Sequence, residues 1–252
     1  MSGFNKPVVV LGPMRSESAY LISSLENVTE RRCCGYTFYE GYIDGYPTVV
    51  CRCFIGVVNS AVAAALAAQL YSPLCIIIQG TSGAHDPELH QGDIVLGERL
   101  AELGSFITPR KGRGEGCDFF ERTVPEREVA GSAEPRNVTY LYSDSRITDI
   151  ALSVPYSFGK VVRGTIGAAD IWNRELDVIA HIHETIGTSC EEMEGFGVAQ
   201  VCRAADIPCA DIRVISNSEW YPDEEFDQKY GEYCQMFVLE AIRRIIANGA
   251  LL

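Results

Sequence analysis

Short apolar runs that end in glycine or in polar residues recur along the chain. Residues 7–12 and 74–79 are apolar almost throughout, which is typical of strands buried on both faces of a parallel sheet. Shorter or more mixed runs follow at residues 92–97, 160–166, 188–191 and 209–217. The pattern predicts a buried sheet, and in such sheets ligands gather where strands turn into helices at the carboxyl edge.

Segments that are predicted to be helical separate these runs, and one segment is typical of a β-hairpin. Helices are predicted from the first strand through about Leu25 and over residues 60–70, 137–152, 175–186, 195–205 and 223–247. Residues 36–54 alternate aromatic and small side chains around Asp44-Gly45, a strong signal for a two-residue hairpin turn. The alternation of strands and helices predicts one α/β domain over residues 1–252.

The charge balance excludes some classes of partner. The 252 residues carry a formal net charge of −13, with 47% hydrophobic and 22% charged side chains. Nucleic acids and anionic membranes both require a basic face, so neither is an expected partner, and a small neutral or cationic ligand fits better. No apolar run is long enough for a membrane span and residues 1–6 lack a signal-peptide core, so a soluble, cytoplasmic protein is expected.

Metal binding is not predicted. The ten cysteines are scattered without a Cys-x-x-Cys pair, and most lie in apolar text, as free thiols do in a reducing compartment. Of the four histidines, His181 and His183 are spaced so that they point to different helix faces. Neither a metal nor a cofactor is therefore expected.

A charged, glycine-rich stretch interrupts the plan at about residues 99–137. Apolar strand text resumes after it, so it is interpreted as a long excursion from the domain and not as a linker. Excursions of this length often serve as lids or subunit contacts. Its basic residues Arg110, Lys111 and Arg113 could meet a phosphate, although a solvated loop is the commoner case.

Candidate chemistry concentrates at the predicted strand ends. Glu191, Glu192 and Glu194 crowd the start of a small-residue helix, where carboxylates beside Met193 could hold the vicinal hydroxyls of a sugar. An acidic turn favoured by the helix dipole is the alternative. In residues 80–83 two hydroxyl side chains stand between two glycines. This segment is interpreted either as a turn that contacts a ligand or as an ordinary tight turn. Trp172 either stacks on a heterocycle or packs in the core.

Five motifs in sequence order resemble the purine nucleoside phosphorylase and uridine phosphorylase superfamily, and most closely the methylthioadenosine/S-adenosylhomocysteine nucleosidases. They are Gly12-Pro-Met-Arg-Ser-Glu17, Ile55-Gly-Val-Val-Asn59, Gly80-Thr-Ser-Gly83 with Gly92-Asp93, Glu192-Met-Glu194 and Arg213-Val-Ile-Ser-Asn217. The resemblance spans residues 7 to about 245. It implies a single-domain, three-layer α/β/α nucleoside phosphorylase-like fold with a central twisted mixed sheet, and a homodimer.

The resemblance also implies roles for individual residues. Glu17 would position and deprotonate an attacking water, Glu194 would hold the ribose hydroxyls, and Asn217 stands where the nucleosidases carry an aspartate that protonates N7 of adenine. The remaining substrate contacts would be Met14, Ile55, Gly56, Thr81, Ser82, Gly83, Ile171, Trp172, Glu192, Met193 and Ser216. The implied reaction is hydrolysis of the N-glycosidic bond of a 5′-modified purine nucleoside, such as methylthioadenosine or S-adenosylhomocysteine.

Asn217 is the main departure from the nucleosidase pattern. An amide offers N–H donors to N7 and to a 6-oxo group, so futalosine, methylthioinosine or inosine stand as alternatives to adenine substrates. Phosphate-dependent cleavage is a second alternative, although Ile78 stands where phosphorylases carry an arginine and only Arg15 could serve. A catalytically impaired nucleoside-binding protein is the third.

Overall fold

The computed structural model describes residues 6–117, 120–123, 130, 140–249 and 251. Within these residues the strands are β1 (Val8–Gly12), β2 (Glu26–Cys33), β3 (Tyr36–Ile43), β4 (Tyr46–Arg52), β5 (Cys75–Ala84), β6 (Ile94–Glu102), β7 (Tyr140–Tyr142), β8 (Val161–Ala168), β9 (Thr188–Glu192) and β10 (Cys209–Ser218). The α-helices are α1 (Ala19–Ser23), α2 (Val57–Tyr71), α3 (Ser145–Leu152), α4 (Leu176–Ile186), α5 (Gly195–Ala204) and α6 (Tyr230–Asn248), and a 3₁₀ turn spans Arg15–Glu17.

The strands form one mixed sheet in the order β10-β6-β8-β9-β5-β1-β4-β3-β2, with β7 paired to β6. An additional pairing joins β10 to β5, so that β5, β10, β6, β8 and β9 pair in a closed circuit. Strand β1 lies between β4 and β5, parallel to both. The circuit brings the carboxyl ends of β5 and β10 beside β9, and β1 ends next to them.

Alternation along the central strands produces a three-layer arrangement. Val9 and Leu11 of β1 pack with α2 and α5 on one face of the sheet. Val8 and Val10 pack with α3 and α6 on the other face. Because successive strand residues point to opposite faces, an apolar run without polar interruption covers both sides. The predicted α/β fold class is therefore confirmed.

Most predicted elements are present, but several bounds were wrong. Residues 80–83 are not a turn: they continue β5, because both β10 and β9 pair with that segment. The helix predicted over 137–152 begins only at Ser145, and Tyr140–Tyr142 forms β7; residues 137–139 lie outside the described part. The last helix begins at Tyr230 rather than at residue 223.

The predicted excursion begins later than expected, because β6 runs on to Glu102 through its pairing with β8. In its described residues an isolated bridge joins Ile107 to Thr123. Strand β2 was not predicted: its side chains are almost all exposed, so no apolar alternation marks it. None of the helices in the described ranges is long and apolar enough to cross a membrane.

Candidate active site

One cavity of about 230 Å³ lies at the carboxyl ends of β1, β5 and β10. Its lining contains nearly all the side chains that the sequence nominated: Met14, Glu17, Ile55, Thr81, Ser82, Gly83, Ile171, Trp172, Glu192, Met193, Glu194, Ser216 and Asn217, with Pro13, Glu191 and Phe226 in addition. Gly56 is the nominated residue outside the lining, and its backbone N–H donates to Glu194 Oε1 at 3.0 Å. The structure thus brings seven separate stretches of the chain to one site: residues 13–17, 55, 81–83, 171–172, 191–194, 216–217 and 226.

Glu17 lies in the 3₁₀ turn that follows β1, with a relative exposure of 1%. Its Oε1 accepts hydrogen bonds from the backbone N and the hydroxyl of Thr81, both at 2.7 Å, and its Oε2 accepts one from the backbone N of Met14 at 2.9 Å. Burial raises the pKa of Glu17 above its ordinary value, and the two Thr81 hydrogen bonds oppose that rise. The result is a fixed carboxyl group with strengthened basicity.

Glu194 is the second fixed carboxylate of the cavity. Its Oε1 faces the backbone N of Gly56, and its Oε2 accepts from Arg213 Nη1 at 3.2 Å. Gly56 has φ of +109°, a conformation that glycine adopts readily. The next residue, Val57, donates its backbone N–H to Asp170 Oδ1 at 2.8 Å, which ties the start of α2 to the loop after β8. Glu194 is therefore held from two sides while it borders the cavity.

Arg213 forms ion pairs with three carboxylates next to the cavity. Its buried guanidinium contacts Asp211 at 2.6 Å, Glu192 at 2.5 Å and Glu194 at 3.2 Å. Burial raises the pKa of Glu192 and raises that of Asp211 to about 6, while Arg213 lowers both. One buried cation facing three carboxylates leaves the cluster rich in negative charge, so burial favours proton uptake there.

The carboxylate of Glu192 forms its hydrogen bonds within this cluster. Its carboxylate accepts from the backbone N of Glu194 at 2.7 Å and of Gly195 at 2.8 Å, in addition to Arg213. Those bonds satisfy the first amides of α5. Glu192 lines the cavity as predicted, and its hydrogen bonds also fix the backbone of Glu194.

Asn217 enters the cavity through an irregularity in β10. The register between β10 and β5 shifts between Ile215 and Asn217, so that Asn217 pairs with Gly83; such bulges redirect side chains. Ser216 Oγ lies 3.0 Å from Asn217 Oδ1 and 3.1 Å from the carbonyl O of Ser82, and its one hydroxyl proton is shared between these two acceptors. Within the described part of the chain, the Nδ2 group of Asn217 has no acceptor and remains available to a ligand.

Apolar side chains form the mouth of the cavity. Ile55 is 51% exposed, Trp172 49% and Phe226 42%. The rings of Trp172 and Phe226 meet edge to face with centroids 5.9 Å apart. Such partly exposed rings can lie against a flat heterocycle.

No lysine, arginine or histidine is among the described residues that line the cavity, whereas four glutamates are. Arg15, the cation that the sequence offered for phosphate, is exposed and outside the lining. A bound anion would meet carboxylates without a free counter-charge. No group of three or more metal-ligating side chains is arranged to hold a metal ion in the described ranges.

A buried carboxyl pair and an amide at the ends of β1, β9 and β10 define a small-molecule site of an α/β enzyme fold. The sequence model of the phosphorylase superfamily matches residues 7–243, and the chain belongs to that superfamily. The predicted resemblance is therefore confirmed.

Relatives of known activity are similar over most of their length. A 5′-methylthioadenosine/S-adenosylhomocysteine nucleosidase of Tolumonas auensis is 24% identical over 241 residues, which cover 94% of this chain and 96% of the relative. An aminodeoxyfutalosine nucleosidase of Campylobacter jejuni is 27% identical over 223 residues, covering 88% and 90%. Both relatives are nucleosidases, which agrees with the predicted nucleoside N-glycosidase activity.

Solved structures support the fold. A 5′-methylthioadenosine/S-adenosylhomocysteine nucleosidase of Colwellia psychrerythraea, in complex with adenine, superposes with a TM-score of 0.75 at 23% identity, covering 95% of this chain and 96% of that one. The futalosine hydrolase of Helicobacter pylori superposes with a TM-score of 0.76 at 17% identity, covering 94% and 97%.

Several residues that line or support the cavity were not predicted from the sequence. Arg213 was quoted in a motif but given no role, although a charge inside an apolar strand must find partners and could have indicated the cluster. Phe226 was assigned to the last predicted helix, and was therefore expected to pack on the sheet and not in the cavity. Glu191 was noted for its charge only, and the structure places it in the cavity wall.

Proposed function

We propose that this protein hydrolyses the N-glycosidic bond of a purine nucleoside bound in the cavity between Glu17, Glu194 and Asn217. The observation that carries the proposal is the convergence of these three groups, each held by neighbouring hydrogen bonds, on one cavity. Positioned groups that meet charge as it develops are the main source of such catalysis.

Each group has one role in the proposed reaction. The bond from C1′ to N9 breaks and its electron pair moves into the purine, while a water oxygen forms the new bond to C1′. Glu17 accepts the proton of that water, Glu194 holds the ribose hydroxyls near the positive charge that develops on the sugar, and Asn217 donates a hydrogen bond to N7. The departing base takes its final proton from solvent, because an amide cannot supply one.

Water is a better nucleophile here than phosphate. The lining carries four glutamates and, within the described residues, no basic side chain. A phosphate would need charge-assisted donors, whereas water needs only an acceptor for its proton. The raised pKa of Glu17 suits that acceptor role, since a base works best when its pKa approaches the working pH.

The substrate is proposed to be a nucleoside with a modified 5′ position. The relatives are named for methylthioadenosine, S-adenosylhomocysteine and aminodeoxyfutalosine, which share a purine nucleoside and differ at the 5′ substituent. The apolar mouth formed by Ile55, Trp172 and Phe226 supports an uncharged, partly apolar ligand.

A homodimer in the cytoplasm is part of the proposal. Val58 and Val62 of α2 are 71% and 40% exposed and follow Ile55 at the cavity mouth, so a second copy could cover them and complete the 5′ pocket. All ten cysteines are free, which supports a reducing compartment.

Chromatography of free base released from purine nucleosides tests the proposal. The wild type should release base, and Glu17→Gln should release none while it still binds purine bases by calorimetry. The exposed Glu88 gives a matched control, because Glu88→Gln makes the same chemical change away from the cavity. A fully active Glu17→Gln variant would contradict the assigned role. Binding without turnover by the wild type would favour the alternative of a nucleoside-binding protein. The observation behind that alternative is the amide of Asn217, which stands where the nucleosidases carry an aspartate.

A further inference from the structure

Two adjacent cysteines lie at the turn between β2 and β3, outside the lining of the cavity. Cys34 is exposed and Cys33 is partly exposed, and their Sγ atoms are 3.8 Å apart. Of the other eight cysteines, all of them among the described residues, seven are buried and Cys117 is exposed. The surface therefore carries one accessible pair of thiols in mutual contact and one accessible thiol elsewhere.

The backbone of the turn explains why Cys34 is unusual at its position. Cys33 pairs with Tyr36 across the hairpin, and the two residues between them, Cys34 and Gly35, have φ values of +50° and +85°. Two positive φ angles are typical of a type I′ turn, where Asn, Asp or Gly usually precedes Gly. Cysteine there costs backbone energy, and its side chain is exposed. Neither turn preference nor core packing accounts for Cys34.

Contacts within the sheet anchor the Cys33 side of the turn. The hydroxyl of Tyr36 donates to the carbonyl O of Asn59 at 3.0 Å, and the Tyr36 ring meets that of Phe54 edge to face with centroids 5.6 Å apart. Cys33 packs against the core cluster that contains Tyr36. Cys33 is therefore held at the end of β2, and Cys34 stands in solvent next to it.

The two sulfurs have different reactivity. The hydrogen bond with Cys34 raises the pKa of Cys33 above its ordinary value, which keeps Cys33 a thiol. Cys34 is the more accessible sulfur and meets a soluble oxidant first, because access controls the reaction of a thiol. The cause of the raised pKa disappears once Cys34 is bonded to another sulfur, so Cys33 can then act as the attacking group.

We propose that Cys33 and Cys34 form a reversible redox site that reacts with low-molecular-weight disulfides such as oxidised glutathione. The thiolate of Cys34 attacks one sulfur of the oxidant, whose S–S bond breaks and releases one thiol. Cys33 loses its proton to solvent and attacks Cys34 Sγ, and the second thiol leaves. One small disulfide and two protein thiols become one protein disulfide and two small thiols, so the protein sulfurs are oxidised and the oxidant is reduced.

The geometry of adjacent residues makes such a disulfide easy to reduce. Neighbouring Cα atoms are about 3.8 Å apart, whereas the Cα atoms of bridged cysteines are usually about 4.4–6.8 Å apart. Closure must also bring the two Sγ atoms from 3.8 Å to about 2.05 Å. The bridge therefore strains the turn, and strained, exposed disulfides are the labile ones. An excess of reduced thiol should restore the pair.

Mass spectrometry of the wild-type protein treated with oxidised glutathione tests the proposal. Cys33 and Cys34 should together lose two hydrogen atoms and carry no glutathione. Cys117 is the matched control: it is exposed and has no adjacent cysteine, so it should retain glutathione as a mixed disulfide. Digestion between Tyr36 and Cys51 separates the pair from the buried Cys51. An excess of reduced glutathione should return all of these thiols.

Cys33→Ser checks the order of the two steps, since it removes the sulfur that makes the second attack. This variant should retain glutathione on Cys34 under conditions in which the wild-type pair retains none. Three results would overturn the proposal: stable glutathione on the wild-type pair, an unmodified pair while Cys117 reacts, or a pair that reduced glutathione does not restore. None of these measurements requires nucleoside cleavage, so the redox site can fail while the proposed hydrolysis stands, and the converse.

Discussion

Gly80→Ala should displace Glu17 while leaving the rest of the sheet intact. Gly80 lies within β5, and a Cβ atom there would approach Glu17 Oε1 to 2.8 Å, Glu17 Cδ to 3.0 Å and Arg213 Nη1 to 3.1 Å. Its φ lies outside the left-handed region, so alanine suits the backbone and would by itself stabilise the chain slightly. The clash with the carboxyl group is therefore the main consequence.

The size of the displacement follows from ordinary contact distances. A carbon atom 2.8 Å from an oxygen must move away by about 0.5 Å to reach a normal contact. Glu17 is held by three hydrogen bonds, two of them at 2.7 Å and one at 2.9 Å, so the shift stretches them. Because a misplacement of about 1 Å can cost roughly 100-fold in rate, we expect kcat to fall by roughly 10- to 100-fold and KM to change less.

Steady-state kinetics of nucleoside cleavage measures this effect, with the melting temperature as a check on folding. Gly104→Ala is the matched control, since among the described residues a Cβ atom there would contact only Ala169 Cβ, at 3.5 Å. A Gly80→Ala variant that folds normally and keeps kcat within twofold of the wild type would refute the role of Glu17 position in catalysis.

Three further predictions concern the buried carboxyl groups. Thr81→Val removes a hydrogen bond that lowers the pKa of Glu17, so the acidic limb of the pH–rate profile should move to higher pH, and Thr81→Ser should restore it; an unmoved limb would contradict the contact. The pKa of Asp211 is about 6 in the folded protein and near its ordinary 3.8 in the unfolded chain. Between these two pH values the native state holds a proton on Asp211 that the unfolded chain releases. Relative to Asp211→Asn, wild-type stability should therefore fall by up to about 3 kcal/mol as pH rises from 4 to 7, and urea unfolding that shows a constant difference would contradict this. Gly195→Ala would place a Cβ atom 1.9 Å from Asp211 Oδ2 and should cost about 1–3 kcal/mol in urea unfolding, whereas stability equal to that of Gly104→Ala would contradict the packing.

The layers of the fold could be predicted from the sequence because a strand buried on both faces is a continuous apolar run. The apolar text of β1 and the first half of β5 predicted their positions, and both are confirmed. Residues 80–83 look like a turn in isolation, yet long-range pairing with β9 and β10 keeps them in a strand. Pairing partners distant in sequence leave no local pattern, and for the same reason Tyr140–Tyr142 was assigned to a helix.

The candidate site was predictable to the extent that motifs mark strand ends. The structure brings Glu17, Glu194 and Asn217 together on one cavity, as the resemblance implied. Their catalytic roles remain predictions. The partners of Arg213 and the pairing of Glu191 with Gly83 depend on three-dimensional packing, which the sequence does not encode at neighbouring positions.

The sugar product of the reaction tests the central claim most directly, namely that water attacks a purine nucleoside between Glu17, Glu194 and Asn217. The wild type would be incubated with a purine nucleoside in buffers with and without phosphate, and the sugar identified by mass spectrometry. We predict the free sugar at the same rate in both buffers. A sugar 1-phosphate, or cleavage that requires phosphate, would contradict the account.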